Sequence, residues 1–147
     1  MNDLIIDATR NKIFLTLIKD NKNIYTSNSE NSKNNFDKLV ILIDDLLDKN
    51  KLLIKNLNRI YVNRGPGSFA GIRSSISIVK GYNISQNIDY YCFSFLDFIN
   101  LKKSVKNQIV KNSSLLSQYH CIKYEKIPEL CSKYKIKKNL IKPLYMS

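Results

Sequence analysis

The chain has 147 residues, the length of one domain or one and a half, and enough to hide roughly 70% of its unfolded surface. Its hydrophobic fraction of 44% excludes a wholly disordered chain, and Lys+Arg 24 against Asp+Glu 12 leaves a formal net charge of +12. The longest fully apolar run, Leu39 to Ile43, is too short to span a bilayer, and Met1-Asn2-Asp3 lacks a secretory signal's basic start, so a cytoplasmic protein with no membrane partner is expected.

Leu4-Ile5-Ile6 reads as a buried strand ending at Asp7. Lys12 to Lys19 alternates around Ile13, Leu15 and Leu17 as a second strand, and Ile24-Tyr25-Thr26 follows a polar turn as a third, so residues 4–28 predict an antiparallel meander. Ser27 to Asn35 is polar and reads as a loop. Phe36 to Asn50 then takes a helical period, with Phe36, Leu39, Val40, Ile43, Leu46 and Leu47 on one stripe and Ile41 and Leu42 beside it. That surface is wider than one sheet contact requires. It fits a well-buried helix, and it equally fits a helix shared between the chain's own sheet and a partner.

Arg59 to Asn63 reads as a further strand. It leads into Arg64-Gly65-Pro66-Gly67-Ser68-Phe69-Ala70-Gly71-Ile72-Arg73 and a helix over residues 70–82. Three of the chain's four glycines fall within this stretch, which points to tight turning and close approach of main chain to something else. The start of the helix also offers free N–H groups to an anion. Gly65-x-Gly67-x-x-Ala70 matches a dinucleotide fingerprint only loosely, because Asp89 precedes its strand, and no Gly-Lys-Ser/Thr follows to make a Walker loop. Tyr90 to Phe93 reads as a strand, and Ser94 as the N-cap of a helix through Phe95, Phe98 and Ile99. Beyond Lys102 the chain is weakly patterned, with a strand expected at residues 121–124 and a short helix from Pro128 to Lys135.

The charge is uneven. Residues 1–99 hold 13 basic and 10 acidic residues, and residues 100–147 hold 11 and 2. A basic end suits RNA. Lys, Asn and Ile are also the residues an AT-rich genome overuses, which lets codon composition account for part of the excess. Cys92, Cys121 and Cys131 form no Cys-x-x-Cys pair, and His120 is the sole histidine, so reduced thiols and no metal site are expected.

Three strands, a helix, a strand, a helix and a strand is the order of a ribonuclease-H-like α/β lobe of the actin, hexokinase and Hsp70 superfamily, with a mixed sheet. In that architecture an Asp ending the first strand, with a hydroxyl close by, faces nucleotide or metal, and Asp7-Ala8-Thr9 occupies that place. The stretch Arg64 to Arg73 resembles the Gly-Arg-Gly-Pro-Gly-Ser-Phe-Thr-Gly-Val-Arg signature of the TsaB (YeaZ) family. Ile5-Ile6-Asp7-Ala8-Thr9 is similar to that family's Ile-Asp-Thr-Ser start, and Pro143-Leu144-Tyr145-Met146 to its Pro-x-Tyr-Leu ending. The resemblance covers residues 4–99 and scarcely touches residues 100–140. Asn63 stands where the signature has glycine.

The resemblance implies two units, a lobe over 1–99 and a basic, reduced second-lobe remnant over 100–147, shortened internally. It implies a non-catalytic subunit without cofactor, which dimerises with and activates a TsaD-type catalytic subunit in threonylcarbamoyladenosine modification of tRNA beside the anticodon. A TsaE-type ATPase subunit, tRNA held through the complex, and a homodimer are further expected partners. The family's pairing through its first two helices places Phe36, Leu39, Val40, Ile43, Leu47, Ile72, Ser75, Ile76 and Val79 in a shared core and partner interface. Asp7, Thr9, Gly65, Gly67, Ser68 and Arg73 are read either as structural or as a degenerate nucleotide or anion loop. A lone histidine cannot reproduce the catalytic relative's H-x-x-x-H metal motif. Two rival functions stay open, a small nucleotide-binding or hydrolysing protein of the same superfamily and a free-standing basic RNA-binding module.

Overall fold

The computed structural model describes residues 1–20, 22–30, 35–112 and 122–144. One five-stranded sheet runs in the order β3-β2-β1-β4-β5, built from β1 (Asn2–Asp7), β2 (Lys12–Lys19), β3 (Lys22–Glu30), β4 (Arg59–Asn63) and β5 (Asp89–Phe93). The first three strands are antiparallel neighbours, and β4 and β5 run parallel to β1. This is the ribonuclease-H-like α/β fold expected from the element order.

Alternation along each strand divides two cores. Leu4 and Ile6 of β1, Ile60 and Val62 of β4, and Tyr90 and Cys92 of β5 face one side, against α1 (Asn35–Lys49) and α2 (Phe69–Gln86). Ile5, Tyr61 and Phe93 face the other side. There they meet Phe95, Phe98, Ile127 and Cys131, the last two from α4 (Ile127–Lys133). Parallel strands buried on both faces read as continuous apolar runs, which explains Leu4-Ile5-Ile6 and Ile60-Tyr61-Val62. Residues 124–131 thus pack on the sheet formed by residues 2–93.

Four local expectations are revised. Ser27 to Glu30 continues β3, with Ser27 opposite Leu15 and Glu30 opposite Lys12. As an edge strand it gains its order from main-chain pairing and needs no apolar face. The helix expected after Ser94 is a single 3-10 turn, Phe95–Phe98: Asp97 caps its start by accepting from the Ser94 N–H at 2.8 Å, and the chain turns extended at Ile99. A helix that the weak pattern concealed, α3, spans Lys103–Lys111 with only Ile109 buried. The strand expected over 121–124 is a 3-10 turn at Tyr124–Lys126, while Cys121 lies outside the described residues, as do His120, Tyr145 and Met146.

Candidate functional site

The C-terminal edge of the parallel strands is where open α/β sheets gather ligands. Strand register brings Asp7, one residue past the Ile6–Val62 pair, beside Asn63, which pairs with Phe93. Asp7 is fully buried. Its Oδ1 accepts from the Thr9 hydroxyl at 2.7 Å and from the Thr9 N–H at 3.1 Å. Its Oδ2 accepts from the Tyr124 hydroxyl at 2.6 Å, with the Arg10 guanidinium 3.6 Å away. Arg10 also donates to the Tyr124 oxygen at 2.8 Å and lies over the Phe14 ring at 4.9 Å.

Sequence reasoning missed Tyr124, 117 residues from Asp7 in the chain. No local pattern marks it. Only the folding of the 124–131 segment onto the sheet brings it there, where its ring sits 6.0 Å from Phe14 and 6.3 Å from Phe95. Burial pushes its hydroxyl pKa upward, and the neighbouring Asp7 charge adds to the rise. Tyr124 therefore stays a neutral O–H donor aimed at a carboxylate. Both carboxylate oxygens are engaged from inside the protein, and Asp7 is 0% exposed.

The glycine turn closes on the same place. The Ser68 N–H donates to the Thr9 carbonyl at 2.7 Å, and a Cβ on Gly67 would collide with that carbonyl. Gly67 is thus needed for contact between main chains. Gly65 holds φ +114°, a conformation that favours glycine, and a Cβ there would strike the Leu144 carbonyl oxygen. The Gly65–Pro66 peptide is cis. Asn63 is buried, and its Oδ1 accepts from the Gly65 N–H at 3.0 Å. The residue replacing the signature's glycine thereby braces the turn with its side chain. Arg64 is engaged too: it binds Asp97 at 2.6 Å and donates to the Lys142 carbonyl at 3.1 Å. Ser68 caps α2 by accepting from the Gly71 N–H at 3.2 Å.

Asp7, Thr9, Gly67 and Ser68 therefore meet, Gly65 lies earlier in the same turn against Leu144, and Arg73 stands apart. Arg73 is exposed on α2, with its guanidinium 6.0 Å from the Phe69 ring centre. Among the described residues, no cluster of three or more His, Cys, Asp or Glu could hold a metal ion. No described helix is long and apolar enough to cross a membrane.

The helix positions divide in a definite way. Leu39, Ile43, Leu47, Ile72, Ser75, Ile76 and Val79 are buried in the chain's own core, and Val40 is half-buried against it. Phe36 belongs to α1 by its backbone, and its side chain lies outside what is described. The outward faces carry other residues. On α1 these are Ile41, 59% exposed, with Asp44, Asp45 and Asp48. On α2 they are Ala70, Arg73, Ser77, Gly81 and Ile84, the last 74% exposed.

Comparison with known proteins places this arrangement. The family model of TsaD, tRNA N6-adenosine threonylcarbamoyltransferase, matches residues 24–119. A curated relative, the tRNA threonylcarbamoyladenosine biosynthesis protein TsaB of Buchnera aphidicola subsp. Schizaphis graminum, is 33% identical over 116 residues, covering 75% of this chain and 54% of the relative. The protein of that name from Buchnera aphidicola subsp. Baizongia pistaciae is 26% identical over 87 residues, covering 59% and 39%. The chain thus spans about half or less of the length of these relatives. Among solved structures, YeaZ from Pseudomonas aeruginosa superposes with a TM-score of 0.59 at 18% identity, covering 77% of this chain and 50% of that one, a likeness of fold. With its glycine turn, its strand order and these matches, the chain belongs to the TsaB (YeaZ) family and carries that family's TsaD-type domain.

Proposed function

We propose that this chain is a non-catalytic subunit in the synthesis of threonylcarbamoyladenosine in tRNA, and that it pairs with and activates a TsaD-type catalytic subunit. The observation that carries this reading is the closed Asp7 site. Tyr124 and Thr9 engage the carboxylate that the superfamily uses toward nucleotide or metal, so the ancestral position is braced internally. On this reading the glycine turn serves main-chain packing, and residues 100–147 are a reduced second lobe, of which Ile127 and Cys131 pack on the first lobe's sheet.

Pairing is assigned to the outer faces of α1 and α2. Ile41 and Ile84 are large apolar side chains left in water, and among the described residues nothing lies within 4 Å of where a Cβ on Gly81 would sit. Ala70, Ser77 and Gly81 permit close approach of a partner helix, and the acids around Ile41 would select a basic rim on it. Leu39, Ile43, Leu47, Ile72, Ser75, Ile76 and Val79 support these faces from below. tRNA would be engaged within the complex, with a TsaE-type ATPase subunit as a further component.

Size-exclusion chromatography of the chain mixed with the catalytic subunit from the same organism tests the assignment. The wild type should co-elute with it. Ile41→Asp and Ile84→Asp, folded by circular dichroism, should not, because each would bury a charge in the interface. Co-elution of both variants would overturn the assigned face, and a wild-type chain that elutes alone or only as a second-copy dimer would overturn the pairing.

A further inference from the structure

We infer that the C-terminal segment 133–142 is a docking surface for the phosphate backbone of RNA. Lys133, Lys135, Lys137, Lys138 and Lys142 place five cations in ten residues that contain no acid. All five are exposed. Lys138 lies 3.5 Å from Asp89, and the other four have no ion pair among the described residues.

Three observations separate this segment from a loose basic tail. First, it is fixed. The Asn139 N–H donates to the Tyr90 carbonyl at 2.7 Å, its side-chain oxygen accepts from the Tyr90 N–H at 2.9 Å, and its amide donates to Asp89 at 2.9 Å. Lys138 bridges Tyr91, the Lys142 carbonyl accepts from Arg64, and the Leu144 N–H donates to the Arg64 carbonyl at 2.7 Å. Lysines on a backbone already ordered lose less freedom on binding than lysines on a tail. Second, the segment frames a concavity. Lys135, Lys137 and Lys142 line a cleft of about 240 Å³ with Leu140. The acid at that cleft, Asp97, is held by Arg64 at 2.6 Å, so the three ammonium groups set its sign. Third, Tyr134 stands among the lysines 43% exposed, its ring 5.7 Å from Phe98 and with the Lys133 ammonium over it at 5.6 Å, which holds that cation at the segment's surface.

Lysines are point charges without the planar fork that reads a base edge, so they suit a phosphate backbone and confer little sequence preference. Naming the RNA as tRNA rests on the function proposed above, whereas the surface itself does not.

The test uses the full chain and fluorescently labelled tRNA, with binding followed by anisotropy from 50 to 200 mM KCl. The triple variant Lys135→Gln, Lys137→Gln, Lys142→Gln is compared with an equal charge change elsewhere, Lys19→Gln, Lys51→Gln, Lys55→Gln. Three phosphate contacts make wild-type affinity fall roughly 20- to 40-fold more steeply over that range than the cleft variant's. The control should keep the wild-type slope. Equal losses in the two triple variants, no wild-type binding at 50 mM, or binding to anionic lipid vesicles without binding to tRNA would each overturn the surface. Failure of the subunit reading shows separately, as absence of association with the catalytic subunit while RNA binding persists.

Discussion

Tyr124→Phe isolates the bond that closes the Asp7 site. The substitution keeps the ring against Phe14 and Phe95 and removes only the hydroxyl. Asp7 Oδ2 then loses its 2.6 Å donor and keeps only Arg10, at 3.6 Å and beyond hydrogen-bonding distance. A hydrogen bond to a charged, buried acceptor contributes about 1.5–3 kcal/mol, and its loss leaves a desolvated oxygen behind. With a urea dependence of about 2 kcal/mol per molar, the unfolding midpoint should fall by about 1 M. A double-mutant cycle with Asp7→Asn should give a coupling of at least about 1 kcal/mol, since both changes act on one contact. The assay is urea unfolding followed by circular dichroism at neutral pH. A midpoint shifted by less than about 0.2 M, or additive effects in the cycle, would refute the reasoning that Tyr124 satisfies Asp7.

Gly67→Ala should destabilise the chain by about 1–3 kcal/mol, because the turn must retreat from the Thr9 carbonyl, and thermal unfolding reads this directly. Ile76→Asp should unfold the chain itself, since Ile76 is 7% exposed within the core, whereas Ile84→Asp should leave the fold intact by circular dichroism. Stability should also decline in alkali. Burial pushes the Tyr61, Tyr90 and Tyr124 hydroxyls up, and the Cys92 and Cys131 thiols to about 11 and about 12. In the unfolded chain the same groups ionise from about pH 8.5 to 10, so that state releases its protons first. Stability is therefore full below about pH 8.5 and falls as pH rises above it, which urea midpoints at pH 8 and pH 10.5 should show.

The parts legible in the sequence were those with local causes. Leu4-Ile5-Ile6 and Ile60-Tyr61-Val62 announce strands because both sheet faces are covered, and the crowding of Gly65, Gly67 and Gly71 into seven residues announces a main-chain contact. The partner in that contact, the Thr9 carbonyl, was not legible, nor was Tyr124, because both follow from packing between distant segments. The far end of β3 escaped because an edge strand is ordered by its backbone, so Ser27 to Glu30 carries no apolar signal. The stripe on α1 shows the converse limit. Periodicity places Leu39, Ile43 and Leu47 on one face, yet a core face and a partner face have the same composition, and only the fold turns these residues inward and leaves Ile41 in water.

The central claim is that this chain supports catalysis by another subunit and performs none itself. It is tested most directly by measuring threonylcarbamoyl transfer to tRNA with the chain alone, with the TsaD-type subunit alone, and with the two mixed. The account predicts no transfer by the chain alone, little by the catalytic subunit alone, and restored transfer in the mixture. Robust transfer by the isolated chain, or a catalytic subunit indifferent to its presence, would contradict it.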